Sequence, residues 1–300
     1  MKQKPKVLIT GADGLLGRHA VEFLTRDYQV LGLVHSIPSF PIEGVEYKAI
    51  DFSGNWSDHD LPEDVHSIVH LAQSSHFREF PDKAVDIFHV NINSTARLLD
   101  FAYRKKVKRF VYASSGGIYG SSDFAFHENS PVVAHGQLGY YLGSKLCGEI
   151  LAQNYSQLMD VTIMRFFFMY GLGQRRTMLI PRLIDNVRNN TPINLQGSIG
   201  IRINPVHVSD GVKALSAALN LEGSHTINIA GPEVLSLREI GEIIGRRLGR
   251  SPIFNVTDAQ PPNLIGNIEA MQSLLHNPTV ALEAGIEELI SQTGQAQPVE

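Results

Sequence analysis

Lys6-Val7-Leu8-Ile9-Thr10-Gly11-Ala12-Asp13-Gly14-Leu15-Leu16-Gly17, running on into Arg18-His19-Ala20-Val21-Glu22-Phe23-Leu24, decides the fold. Lys6 to Thr10 reads as a short buried strand, and Arg18 to Leu24 has helical periodicity. Between them the glycines stand at a G-x-x-G-x-x-G spacing, one residue longer at its start than the common dinucleotide fingerprint. Glycine lets the backbone turn sharply and lets a pyrophosphate approach. Free N–H groups at the start of the helix then hold the anion. Gly11, Asp13, Gly14, Leu15, Leu16 and Gly17 are the candidate residues of this cradle.

A second strand, Gln29 to Val34, would carry an acid at its end in an NAD site, to hold the ribose hydroxyls. Val34 occupies that place, followed by His35 and Ser36. The missing carboxylate removes repulsion against a 2′-phosphate, and Arg18 and His35 are candidates to contact one, so the cofactor is NAD or NADP with a lean to NADP. Asp51 and Phe52 follow a third strand and are candidates to flank the adenine.

Tyr141 and Lys145 lie four residues apart in Gly139-Tyr140-Tyr141-Leu142-Gly143-Ser144-Lys145, on one face of a helix. A free Tyr ionises near ~10, too high for a proton carrier at neutral pH, and an adjacent Lys⁺ lowers that value. The pair is a candidate acid/base for oxidising an alcohol or reducing a ketone.

The 300 residues are 43% hydrophobic, enough for a sizeable core. A net charge of -4 carries no nucleic-acid footprint. No apolar h-region follows Lys2, Lys4 and Lys6, and no apolar run is long enough to span a membrane, so a cytoplasmic protein is expected. The one cysteine, Cys147, is read as a small core residue. His66 and His70 stand four apart in a stretch that reads as a strand, with no third ligand near, so no metal site is expected. Strands and helices alternate to about Met164, as in a parallel sheet. Beyond it a helix beginning at Met178 lies outside the sheet, and Thr226 to Ile229 returns to it. Ser236 to Glu239 caps a later helix, Pro252 to Val256 forms a short strand, and Gln292 to Glu300 looks loose.

Taken together, these motifs resemble the extended short-chain dehydrogenases/reductases, and within them the NAD(P)-dependent epimerase/dehydratase family acting on nucleotide sugars. The resemblance rests on Thr10 to Gly17, Val69-His70-Leu71-Ala72, Asn91, Val111 to Gly120, Tyr141 to Glu149, Val161 to Phe166, and Val206 to Asp210. It implies an α/β fold: a Rossmann-type doubly wound parallel sheet over residues 1–164, with later returns near 203–230. A smaller interleaved α/β substrate-binding domain would take most of 165–300.

The resemblance also implies roles. Ser115 would be the catalytic hydroxyl, with Ser114 as the fallback, and Lys145 would also hold the nicotinamide ribose. Leu71, Ala72 and Gln73 would line the nicotinamide side, Asn91 would be structural beside the cofactor, and Phe168 would adjoin it where the family often has an asparagine. Ser75, His76, Ser115, Gly116, Arg182 and Arg202 are the candidate substrate residues, the two arginines as a diphosphate clamp. Ser121 and His127 face the sugar from loops in the same reading. Sugar dehydratases of the family carry an Asp-Glu pair where this chain has Gly116 and Gly117, which leaves epimerisation and, as the alternative, 4-keto reduction with NADPH. A cofactor-sensing module without chemistry is the further alternative. The helices around 81–104 and 140–157 correspond to those that pair in family dimers, so a homodimer is expected, with a nucleotide-diphosphate sugar as the small-molecule partner.

Overall fold

The computed structural model describes residues 4–291. In chain order, β1 (Lys6–Thr10), α1 (Leu15–Leu24), β2 (Gln29–Val34), β3 (Val45–Ala49) and β4 (Ser67–His70) come first. There follow α2 (Ala84–Phe88), a π-helical turn at His89–Asn93, α3 (Ser94–Arg104), β5 (Arg109–Ser115), α4 (Gly139–Asn154) and β6 (Asp160–Phe166). The remainder is α5 (Leu179–Arg188), β7 (Ile193–Gln196), β8 (Arg202–Ile203), α6 (Val208–Ala218), β9 (His225–Ile229), β10 (Leu235–Ser236), α7 (Leu237–Leu248), β11 (Phe254–Thr257) and three short helices, α8 (Glu269–Leu274), α9 (Leu282–Gly285) and α10 (Glu287–Ser291).

Seven strands form one parallel sheet in the order β3-β2-β1-β4-β5-β6-β9. Successive side chains of a strand point to opposite faces, and β1 shows the consequence. Val7 and Ile9 join α1 and α6 in one core layer, while Leu8 joins α3 and Ala152 of α4 in the other. Both faces are covered, so these strands are apolar almost throughout. The strand order reverses between β1 and β4, which opens a crevice at their carboxyl ends. Thr10 ties those ends together: its hydroxyl accepts from Leu71 N–H (3.1 Å) and Ala72 N–H (3.0 Å).

The expected return of Thr226 to Ile229 is seen as β9 beside β6. β8 does not return with it; it pairs antiparallel with β10. The expected alternation also breaks early. β2 leads to β3 with no α-helix between, and only a 3-10 turn at Asp58–Asp60 separates β3 from β4. His66 lies just ahead of β4, not on it.

A separate apolar core gathers α5, α7, α9 and α10 around Ile193 and Leu195 of β7, which pairs in parallel with β11. Ser236 caps α7 through a reciprocal capping box with Glu239. Gln292 to Glu300 lie outside the described residues. Among the described residues no helix is long and apolar enough to cross a membrane.

Candidate active site

The glycine turn after β1 leaves no room for side chains. Gly11 has φ +64°, and a Cβ there would stand 2.9 Å from Ala72 N. A Cβ on Gly17 would stand 2.1 Å from Gly11 O. α1 follows with Gly14 as its N-cap, and no side chain caps the N–H groups of its first turn. These N–H groups are therefore left for an anion, and the bare backbone fits the pyrophosphate of a dinucleotide. Asp13 and Gly14 are exposed on the turn, Leu15 is half-buried, and Leu16 and Gly17 are buried beneath it. Arg18 donates weakly to Asp13 O (3.4 Å), and its guanidinium packs against Gly173 in the loop after β6.

At the end of β2, His35 is exposed and its Nδ1 lies 3.7 Å from Asp51 Oδ1. Asp51 accepts from the Ser53 N–H (2.8 Å) and hydroxyl (2.6 Å), which hold its carboxyl below the usual range. A carboxylate thus does stand beside the end of β2, supplied from beyond β3. Phe52 turns its side chain away from the crevice. Its ring is buried, with Trp56 5.1 Å and His70 6.5 Å away edge-on, so only its main chain is left to flank an adenine.

Lys145 is 3% exposed, yet its Nζ donates to Ala113 O (3.0 Å) at the carboxyl end of β5. Burial pushes its pKa down to about 8, with Glu149 pulling the other way. Tyr141, one turn nearer the start of α4, donates its hydroxyl to Gln73 Oε1 (3.1 Å). Its pKa is pushed up to about 12 by burial, against the pull of Arg78. The expected lowering by Lys145 is therefore corrected for the protein alone: removal from water outweighs the nearby charges. Tyr140 stacks on Phe80 (4.8 Å) and belongs to another face of the helix.

The Lys145 shift has a consequence for stability. Between pH 8 and its ordinary value near ~10.4, the folded chain binds fewer protons than the unfolded one, so stability rises with pH. The raised Tyr141 value acts oppositely, but only above ~10. In urea titrations at pH 8 and pH 10, wild type is expected to gain stability relative to Lys145→Met. A constant difference between the two would contradict a buried, proton-shedding Lys145.

Ser115 ends β5, and its hydroxyl accepts from Gly117 N–H (3.2 Å). Ser114, the fallback, has a buried hydroxyl with no partner among the described residues. A Cβ on Gly116 would stand 2.4 Å from the Phe167 ring, and one on Gly117 would meet the Leu142 side chain at 2.9 Å. The space a dehydratase carboxylate would need at 116 is filled by an aromatic ring.

Asn91, in the π-helical turn, donates to Ser144 Oγ (2.8 Å) and accepts from Ser74 N–H (2.8 Å). It ties α4 to the loop after β4, and its part in the site is indirect. Ser75 is exposed, and His76 pairs with Glu79 at 3.0 Å. Arg182 on α5 and Arg202 on β8 are exposed outside the seven-stranded sheet, and Ser121 and His127 are exposed in loops. Phe168, at φ +43°, packs against the second core as the chain leaves the sheet. Cys147 is exposed, not buried as expected, because it points away from the face that carries Lys145. Both His70 nitrogens are engaged by hydroxyls, Thr10 at 2.7 Å and Thr95 at 2.9 Å, and burial pushes its pKa down to about 3.

Two groups of residues escaped the sequence reading. Glu149 follows Lys145 by the same four-residue step and forms a buried pair with Arg165 (2.7 Å); the helical spacing was a usable signal. Phe77 and Arg78, in a turn with no periodicity, stand by Tyr141, with ring centroids 5.0 Å apart for Phe77 and Tyr141.

Comparison with known proteins adds a family match. The model of the NAD dependent epimerase/dehydratase family matches residues 7–230. The chain is 30% identical to an uncharacterized UDP-glucose epimerase, YtcB, of Bacillus subtilis, over 94% of this chain and 95% of the relative. It is 26% identical to a dTDP-4-dehydro-6-deoxyglucose reductase of Escherichia coli, over 96% and 97% of the two chains. Among solved structures, the UDP-glucuronic acid 4-epimerase of Bacillus cereus in complex with UDP-glucuronic acid and NAD superposes with a TM-score of 0.83, at 26% identity, covering 95% of this chain and 98% of the other.

Proposed function

The chain belongs to the NAD-dependent epimerase/dehydratase family of enzymes, and from that premise we propose that it is a nucleotide-sugar 4-epimerase acting by transient hydride transfer, with Tyr141 as acid/base. The observation that carries this reading is the Phe167 ring against Gly116: beside Ser115, Tyr141 and Lys145, which we read as the catalytic triad, the position a dehydrating carboxylate would take is filled.

The bare turn at Gly11 and Gly17 and the uncapped start of α1 would hold the cofactor's pyrophosphate. Hydride exchange with a sugar carbon is the chemistry a bound dinucleotide supplies. Tyr141 takes the proton of the sugar hydroxyl and later returns it. Ser115, at the end of β5, orients that oxygen by a hydrogen bond. Lys145, fixed to Ala113 O, would place positive charge behind the phenol and so favour its ionised form against the effect of burial. We read the cofactor as NAD: Asp51, beside His35, puts a carboxylate where a 2′-phosphate would be repelled, and the Bacillus cereus structure contains NAD. A homodimer belongs to the same reading, supported by exposed Val85 and Phe88 on α2 and Ile150 on α4.

A second reading, a 4-keto-sugar reductase using NADPH, has the Escherichia coli relative in its favour. One experiment separates them. Purified protein is denatured, the released dinucleotide is identified by mass spectrometry, and the native protein is incubated with UDP-sugars while the C4 epimers are followed by NMR. Bound NAD(H) with interconversion of C4 epimers is the expected outcome. An empty site that fills with NADPH, with no epimer formed, would move the assignment to the reductase.

A further inference from the structure

The turn after β4 holds a cation, Arg78, beside Tyr141. Ser74 is buried; its N–H donates to Asn91 and its hydroxyl to Asp86. His76 N–H donates to Ser74 Oγ (3.1 Å), Glu79 N–H donates to His76 O (2.8 Å), and the His76 ring pairs with Glu79. The turn is thereby pinned at both ends. Pinned so, it lays Phe77 against the Tyr141 ring and sets the Arg78 guanidinium 5.1 Å from the Phe77 ring centroid.

Arg78 is exposed, and among the described residues no carboxylate lies within ion-pair reach of it. The nearby acids are engaged elsewhere: Glu79 with His76, Asp86 with Ser74, and Glu149 with Arg165. Among the described residues its side-chain hydrogen bond is to Met178 Sδ at 3.9 Å, ahead of α5, and a thioether is a weak acceptor for a group with five donors. With Lys145 buried beneath, this end of the crevice carries two positive charges. A guanidinium already held by aromatic stacking is a ready fork for a carboxylate.

We propose that Arg78 is the specificity residue for an acidic sugar: its guanidinium receives a carboxylate borne by the sugar, so the substrates are nucleotide-linked hexuronates. The proposal rests on the epimerase reading for its site. A diphosphate offers the same oxyanion chemistry, but it is attached at C1, across the sugar ring from C4. C5, the neighbour of C4, carries the carboxylate of a hexuronate. A guanidinium one aromatic ring from Tyr141 is therefore at the carboxylate end.

The test measures binding to the NAD-loaded Tyr141→Phe protein by calorimetry, with UDP-glucuronate, UDP-glucose and UDP as probes, so that it does not depend on turnover. UDP-glucuronate is expected to bind more tightly than UDP-glucose. Adding Arg78→Met is expected to reduce that preference about 10- to 100-fold, the scale of a lost hydrogen-bonded charge. Arg78→Lys is expected to restore part of it. A preference for UDP-glucose before the change, an unaltered preference after it, or an equal loss for both sugars and UDP (the signature of a diphosphate contact) would each overturn the proposal. Absence of C4 interconversion by wild type, with the binding preference intact, would count against the epimerase reading alone.

Discussion

Tyr141→Phe is expected to lower kcat by about 10²- to 10⁴-fold, the range for loss of a positioned acid/base, while affinities for cofactor and sugar nucleotide stay close to wild type. The hydroxyl is the one polar handle of a ring otherwise packed against Phe77, and its partner, Gln73 Oε1, remains accessible to solvent when the phenol is gone. Removing it costs little folding energy and no anion-binding group. The chemistry suffers because no other side chain is set to move a proton there. Lys145 is fixed to Ala113 O, and Ser115 is no base at neutral pH. Rates with and without the change, measured by NMR on UDP-sugars, together with calorimetric affinities, check this. A variant that retains wild-type turnover would remove Tyr141 from the mechanism.

Glu149→Leu is expected to destabilise the protein by about 3–5 kcal/mol, because it leaves Arg165 charged and buried without its partner. Arg165 Nη2 lies 2.7 Å and Nε 3.0 Å from the Glu149 carboxylate, with side chains 10% and 5% exposed. Arg165 Nη1 also donates to the Tyr119 hydroxyl (2.5 Å) and to Glu128 O (3.0 Å), and Tyr119 donates to Asn228 Oδ1 (2.9 Å). One network therefore binds α4 to β6 and β9, and α4 carries both Tyr141 and Lys145. At this chain length the loss corresponds to a fall in Tm of roughly 5–8 °C. Replacing both partners, Glu149→Leu with Arg165→Met, is expected to recover much of it, since no charge is then stranded. A double variant no more stable than Glu149→Leu would mean that the cost is packing and not the unpaired guanidinium.

What was legible in the sequence and what was not divides by range. The strand, glycine turn and helix at 6–24 could be read directly because each signal is local: buried β residues, glycines where a Cβ would strike Gly11 O or Ala72 N, then a 3.6-residue period. The four-residue step from Tyr141 to Lys145 was visible for the same reason. That the Phe52 ring faces a core was not legible, because a residue after a strand looks alike whether its ring faces a ligand or a core; Trp56 and His70 decided it. Cys147 was misread because the helix face toward water is chosen by packing partners and not by the residue itself.

The order of the strands and the residues that line the crevice were set by contacts across long stretches of chain. Thr10 bonds to Leu71 and Ala72, Asn91 to Ser144, and Tyr141 to Gln73. The direction of the Tyr141 and Lys145 shifts likewise depended on how much water the surrounding fold removes, and burial drives both against their charged forms. The sequence by itself determined the family, the strand, glycine turn and helix that open the chain, and the one-turn spacing of Tyr141 and Lys145, because these are written in residues close together along the chain. Only the tertiary structure decided that Phe167 fills the space at Gly116, that Asp51 stands beside His35, and that Arg78 is left without a carboxylate among the described residues, because each depends on side chains brought together by the sheet and its connecting turns.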